Sequence, residues 1–197
     1  ATGTVPLANL KKNNTARVGD ALFLTKPLGV GILATAGKRG ILSPEHAKLA
    51  EISMLKLNKV GIGLAAHPGV TAMTDVTGFG LLGHLLEVCR GSNVSAKVCR
   101  SLVPVLDKCM DDYCDNGAVP GGSERNWESC KDDIINSNLY DEKIFCDPQT
   151  SGGLLVTVRP EKQAIVEKIL KTHDCFYSSI GSIIPRKIDQ PQIHISA

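Results

Sequence analysis

Asp75 is the residue whose surroundings most invite chemistry. It stands in the stretch Thr74-Asp75-Val76-Thr77-Gly78-Phe79-Gly80-Leu81-Leu82-Gly83-His84, where a strand-like run (70–76) gives way to glycines and then to a helical pattern. Free N–H groups at a helix start bind anions such as phosphate. Glycine lets the backbone come close to a ligand. A carboxylate at such a place would repel phosphate unless a cation lies between them. Mg2+ resolves that conflict, because it takes one or two carboxylates together with phosphate oxygens. The pattern points to Asp75 as a metal ligand and to Thr77, Gly78 and Gly80 as positions that cradle a polyphosphate.

The same residues admit other readings. Gly78, Gly80 and Gly83 match the dinucleotide fingerprint, which also wants an acidic residue about 20 positions further on. Residues 92–106 contain no Asp or Glu, and Asp107 is the first. Asp75 would also face the pyrophosphate. A third reading has Asp75 capping the helix and the glycines serving packing. His84 either faces the site or packs as an ordinary buried histidine.

Three other places carry weaker signals. Cys146-Asp147-Pro148-Gln149-Thr150-Ser151-Gly152-Gly153 offers hydroxyls and unencumbered N–H groups before a strand. It reads equally as a ligand loop or as a tight entry to a core strand, and Asp147 is a candidate second metal carboxylate. Gly117 to Trp127 places Arg125 in a glycine-rich loop, which suits anion capture or plain mobility. Lys26, before Pro27, is ambiguous in the same way.

Several elements must position these residues. Residues 19–25 read as a short buried strand, followed by an apolar stretch from Val30 to Ala36 that Gly37 to Gly40 ends. Ser43-Pro44-Glu45 is a helix start, with Ser43 as cap and Pro44 at the first position. That helix is expected to reach about Asn58. Strands are expected at 70–76, 94–100, 153–158, 178–184 and 192–196. Further helices are expected from Leu81 to Cys89, stopped by Gly91, from Pro104 to Cys114, and after Pro160, where Val166 and Leu170 recur four apart. Residues 115–150 read as the least regular part.

Composition narrows the classes. With 197 residues, 43% of them hydrophobic, the chain can bury roughly 70% of its unfolded surface. A net charge of +2 calls for neither nucleic acid nor membrane as partner, and no apolar run is long enough to span a bilayer. The seven cysteines form no Cys-x-x-Cys pair, and their spacing fits no zinc motif. A reduced, cytoplasmic setting follows. The chain begins at Ala1, and Ala1 to Pro6 reads as a strand end and turn, so more sequence is expected upstream.

Taken together, four segments resemble the selenophosphate synthetase family (selenide, water dikinases). They are Gly19 to Gly29, Thr74 to His84, Val119 to Asn126, and Asp147 to Gly153. The resemblance covers nearly the whole chain. It implies an α+β fold of the aminoimidazole ribonucleotide synthetase C-terminal type, with a mixed, largely antiparallel sheet packed with helices. Residues 1–18 would be the remnant of an N-terminal domain and linker, and 19–197 the C-terminal domain. The implied reaction converts selenide, ATP and water to selenophosphate, phosphate and AMP, with Mg2+ required. Asp75 takes the place of one of the family's metal-binding aspartates. The family's catalytic Cys or selenocysteine, its partner Lys and its dimer interface belong to the N-terminal domain. None of the seven cysteines here takes that role, and the chain alone is expected to be inactive. Two alternatives stand beside this: a related ATP-dependent small-molecule kinase or synthetase, and a non-catalytic binding or regulatory domain.

Overall fold

The computed structural model describes residues 3–197 of the chain. Its centre is a seven-stranded sheet of order β2-β5-β1-β6-β3-β7-β4. The strands are β1 (Ala21–Leu24), β2 (Val70–Asp75), β3 (Val94–Cys99), β4 (Ile134–Ile135), β5 (Leu154–Val158), β6 (Ser178–Pro185) and β7 (Ile193–Ser196). The pairs linking β2, β5, β1, β6 and β3 are antiparallel, and those of β7 with β3 and β4 are parallel. This is the mixed, largely antiparallel α+β sheet that the family resemblance implied.

Side-chain alternation on β1 sorts two cores. Leu22 and Leu24 join the larger cluster with Ile32, Leu33, Leu81, Leu82 and Leu85. Ala21 and Phe23 point to the opposite face and join Val60, Leu64, Val166 and Leu170. A strand covered on both faces reads as a continuous apolar run, and this explains the fully buried Leu154–Val158. Helices α1 (Val30–Lys38), α4 (Gly80–Ser92), α5 (Met110–Asp115) and α7 (Leu139–Phe145) contribute to the first core. Helices α3 (Val60–Ala66) and α8 (Gln163–Thr172) contribute to the second. Helix α2 (Pro44–Leu55) lies against α1 and lends Ala50 to the first core. Helix α6 (Gly121–Cys130) packs on α4 and α7.

Several expectations need correction. Helix α2 starts as read, with Ser43 Oγ accepting from the His46 N–H, but it stops at Leu55. Lys56 turns extended, and Asn58 Nδ2 is taken by the Gly152 carbonyl at 2.9 Å. Gly91 does not end α4. Its missing Cβ leaves room for Asn14, and the helix closes at Asn93 in the left-handed conformation. Only Met110–Asp115 of the expected 104–114 helix forms. Residues 104–106 instead hydrogen-bond the Leu28 backbone. Residues 115–150 are regular, holding α6, β4 and α7. No strand occurs at Gly3–Pro6, and the strand end expected at Ala1–Thr2 lies outside the described residues.

The chain's opening segment is part of the packing. Thr15 Oγ1 donates to the Thr71 carbonyl at 2.7 Å and the Met73 N–H donates to the Lys12 carbonyl at 3.1 Å, so residues 12–15 line the outer edge of β2. Among the described residues no helix is long and apolar enough to cross a membrane, and all seven cysteines are free thiols.

Phe23 is fully buried in the smaller core. Phe23→Ala is expected to cost about 3–5 kcal/mol of unfolding free energy, read from urea midpoints. A loss under about 1 kcal/mol would show that this face contributes little.

Candidate functional site

The site is built where β2 ends. Being an edge strand, β2 has one neighbour, β5, and Asp75 is paired with Leu154. The next residue, Val76, donates to the Gly153 carbonyl at 2.8 Å. The 76–80 turn is thereby laid over the 145–153 loop before α4 begins. Asp75 is exposed, and its carboxylate has no hydrogen-bond or ion-pair partner among the described residues. It does not cap α4, which begins at Gly80 without a side-chain cap.

The other expected site residues divide. Gly78 is exposed, with nothing within 4 Å of the place its Cβ would occupy. Gly80 is buried at φ +69°, and a Cβ there would stand 2.7 Å from the Cys146 carbonyl carbon. Its glycine serves the approach of two protein backbones. Thr77 is half-buried and heavily bonded. Its carbonyl accepts from Gly80 and Gln149, and its hydroxyl meets His84 Nε2 at 3.1 Å. His84 is 7% exposed, with Nδ1 3.0 Å from Glu87 Oε2. It braces the Thr77 side of the turn from within.

The 145–153 loop is the support. Asp147 is completely buried, its Oδ2 accepting from the Gly31 N–H at 3.0 Å and from Gln149 Nε2 at 2.8 Å. That places the carboxylate on the first turn of α1, where the helix dipole favours negative charge. Its Oδ2 is committed to the first turn of α1 and to Gln149, beneath the 76–80 turn, while Oδ1 has no partner among the described residues. Gly31 allows the approach, since a Cβ there would clash with Asp147 Oδ1. Asn126 joins the loops, its Nδ2 donating to the Gly78 carbonyl at 2.8 Å and to the Cys146 carbonyl at 2.9 Å.

The two candidate cations also part. Lys26 is buried, and its Nζ donates to the carbonyls of Ser53 and Ser151 at 2.9 and 2.6 Å. Burial pulls its pKa down. It joins β1 to α2 and to the 151 turn. Arg125 is exposed on α6, the helix whose Asn126 grips Gly78, and it makes no ion pair among the described residues. Asn126 and Gln149 were missed as anchors because a side-chain amide carries no signal until its partners are placed.

The chain matches the family model "AIR synthase related protein, C-terminal domain" over residues 17–194. It is 51% identical over 189 residues to a selenide, water dikinase of Aeromonas hydrophila, covering 96% of this chain and 54% of that protein. The chain therefore spans about half the length of that relative. The thiamine-monophosphate kinase structure from Stenotrophomonas maltophilia aligns with TM-score 0.65 at 17% identity, over 98% of this chain and 54% of that one. The hydrogenase maturation protein HypE, solved in complex with ATP, aligns with TM-score 0.60 at 16% identity, over 94% and 49%. At such identities the two structures share the fold.

Burial pushes the Asp147 carboxyl up to about 7, against the Gln149 and Gly31 donors that favour its ionised form. The folded protein therefore keeps a proton that the unfolded chain releases near pH 3.8. The stability Asp147 contributes is full below that value and falls as pH rises towards about 7, by up to about 1.4 kcal/mol per pH unit. Asp147→Asn, similar in shape and without that proton, is expected to flatten the fall. Urea unfolding of both proteins between pH 4.5 and 7.5 measures it. Parallel profiles would show the carboxyl ionised throughout.

Proposed function

The chain belongs to the family of AIR synthase related C-terminal domains, and on that premise we propose that it forms the carboxy-terminal part of a selenide, water dikinase. In this reading the whole enzyme converts selenide, ATP and water to selenophosphate, phosphate and AMP in the cytoplasm. The observation that carries the site assignment is the exposed, uncommitted carboxylate of Asp75 beside open space at Gly78. The half-chain identity to a selenide, water dikinase supplies the substrate class. The fold shared with HypE, which was solved with ATP, supports the nucleotide.

The residues fit Mg2+ as a partial shell. Asp75 offers an exposed, unpartnered carboxylate here, whereas Asp147 is buried and bonds α1 through Oδ2. One carboxylate with phosphate oxygens is an ordinary Mg2+ arrangement. When bound, the ion supplies charge stabilisation for phosphoryl transfer. Asp75 would hold it from the end of β2. Gly78 would leave room for a phosphate to approach. Thr77 and Gly80 would set the turn's shape, with His84 fixing Thr77. Arg125 would offer positive charge at the rim. In this reading no cysteine of this chain is the selenide-handling group. The remaining length of the enzyme would supply that group, further metal ligands and the dimer interface. The chain alone is then expected not to turn over.

Asp75→Asn in the full-length enzyme is expected to lower selenide-dependent turnover about 100-fold, equivalent to about 3 kcal/mol of lost transition-state stabilisation. Phosphorus NMR of anaerobic ATP, selenide and Mg2+ measures it through the selenophosphate signal. Unchanged turnover would remove Asp75 from the site. ATP consumption without selenide dependence would point instead to a related kinase with another acceptor.

A further inference from the structure

Away from the 76–80 turn, three side chains of different ligand chemistry converge. His46 sits in the first turn of α2, while Asp107 and Cys109 come from the irregular segment before α5. Cys109 Sγ is 3.4 Å from His46 Nε2, and Asp107 Oδ1 is 3.9 Å from the same nitrogen. The three ligand atoms all lie within 4.8 Å of one another. On a tetrahedral Zn2+ ion, bond lengths of about 2.0–2.3 Å put neighbouring ligand atoms about 3.3–3.6 Å apart. The 3.4 Å side matches that spacing and the 3.9 Å side is somewhat longer, so an ion would draw the three groups together.

The surrounding contacts are those of a supported ligand set. His46 Nδ1 is 2.7 Å from the Tyr113 hydroxyl, which also accepts from the Ser43 N–H at 3.2 Å. An imidazole donating from Nδ1 to that oxygen leaves the Nε2 lone pair free for a cation. Cys109 Sγ, 3.4 Å from Nε2 and 3.6 Å from Nδ1, flanks the ring rather than lying on that lone pair's axis, so an ion bound to both would draw the thiol round towards Nε2. Metal-bound histidines are commonly oriented in this way by a second hydrogen bond. The Cys109 N–H donates to Asp107 Oδ1 at 2.9 Å, which fixes the carboxylate beside the thiol. The side chains of His46 and Asp107 are 19% and 40% exposed, so an ion can enter from solvent.

We propose that His46 Nε2, the Asp107 carboxylate and Cys109 Sγ form a zinc site, with a fourth position open to water. The mixed nitrogen, oxygen and sulfur set suits a borderline-soft ion. A thiol that binds such an ion does so as the thiolate, its proton released to solvent. The ion would tie α2 to the 104–110 segment. That segment in turn bonds Leu28 and packs Met110 against Gly29, at the entry to α1. Sequence spacing hides the site, because His46 and Cys109 are 63 residues apart.

Titrating the protein with Co2+ as a spectroscopic stand-in for zinc tests this. A thiolate-to-cobalt charge-transfer band in the near ultraviolet is expected, with tetrahedral visible bands, and both should be displaced by Zn2+. C109S is expected to abolish the charge-transfer band, H46Q and D107N to weaken cobalt binding at least about tenfold, and C175S to change nothing. Far-ultraviolet circular dichroism confirms that each variant is folded. Absence of the band in the parent protein would overturn the proposal, as would a band that survives C109S or is untouched by both H46Q and D107N.

Discussion

The structure depends on one buried carboxylate. Asp147 has no exposed surface and accepts from the first turn of α1 through Gly31 and from Gln149. Burying a carboxyl is costly unless its oxygens are bonded, and Asp147 Oδ1 has no partner within the protein. What offsets the cost is the number of elements the contact joins. Gln149 donates its backbone N–H to Thr77, and its side-chain oxygen faces the Val30 N–H at 3.4 Å. Through these bonds α1, the 145–153 loop and the 76–80 turn hold one another in place.

That arrangement separates two aspartates with opposite fates. Asp147 is drawn inside, where it organises backbone. Asp75 stands at the exposed end of an edge strand with its carboxylate uncommitted. Edge strands usually need protection against pairing with other chains, and residues 12–15 cover this one. The glycines divide similarly. Gly80, Gly31 and Gly152 let backbone or carboxylate approach where a Cβ would clash, whereas Gly78 faces open space. A motif that reads as uniformly permissive is thus mostly tight packing, with one open position.

A second pattern concerns how distant segments are pinned by single polar side chains. Asn126 bridges two turns, Lys26 bridges α2 and the 151 turn, and Arg100 forks onto the buried Asp141 that closes the capping box of α7. Each satisfies carbonyls or carboxylates that burial would otherwise leave unpaired. The loops around the site are therefore held by hydrogen bonds on a sheet whose two faces are both packed.

The sequence by itself determined the strands with continuous or alternating apolar runs, the start of α2 at Ser43-Pro44, and the place where a strand gives way to a glycine turn at Asp75. These are signals of local range: a cap, a period, a turn residue. It could not determine that Asp147 lies inside, that Gly80 serves packing, or that residues 115–150 are regular. The two glycines opening α6 are tolerated because Gly122 lies against Pro148, a contact between segments far apart in the chain. His46 and Cys109 are likewise joined only by the packing of α2 on the 104–110 segment. The tertiary structure decided these points because burial and hydrogen-bond satisfaction depend on which segments meet, and no local pattern encodes that.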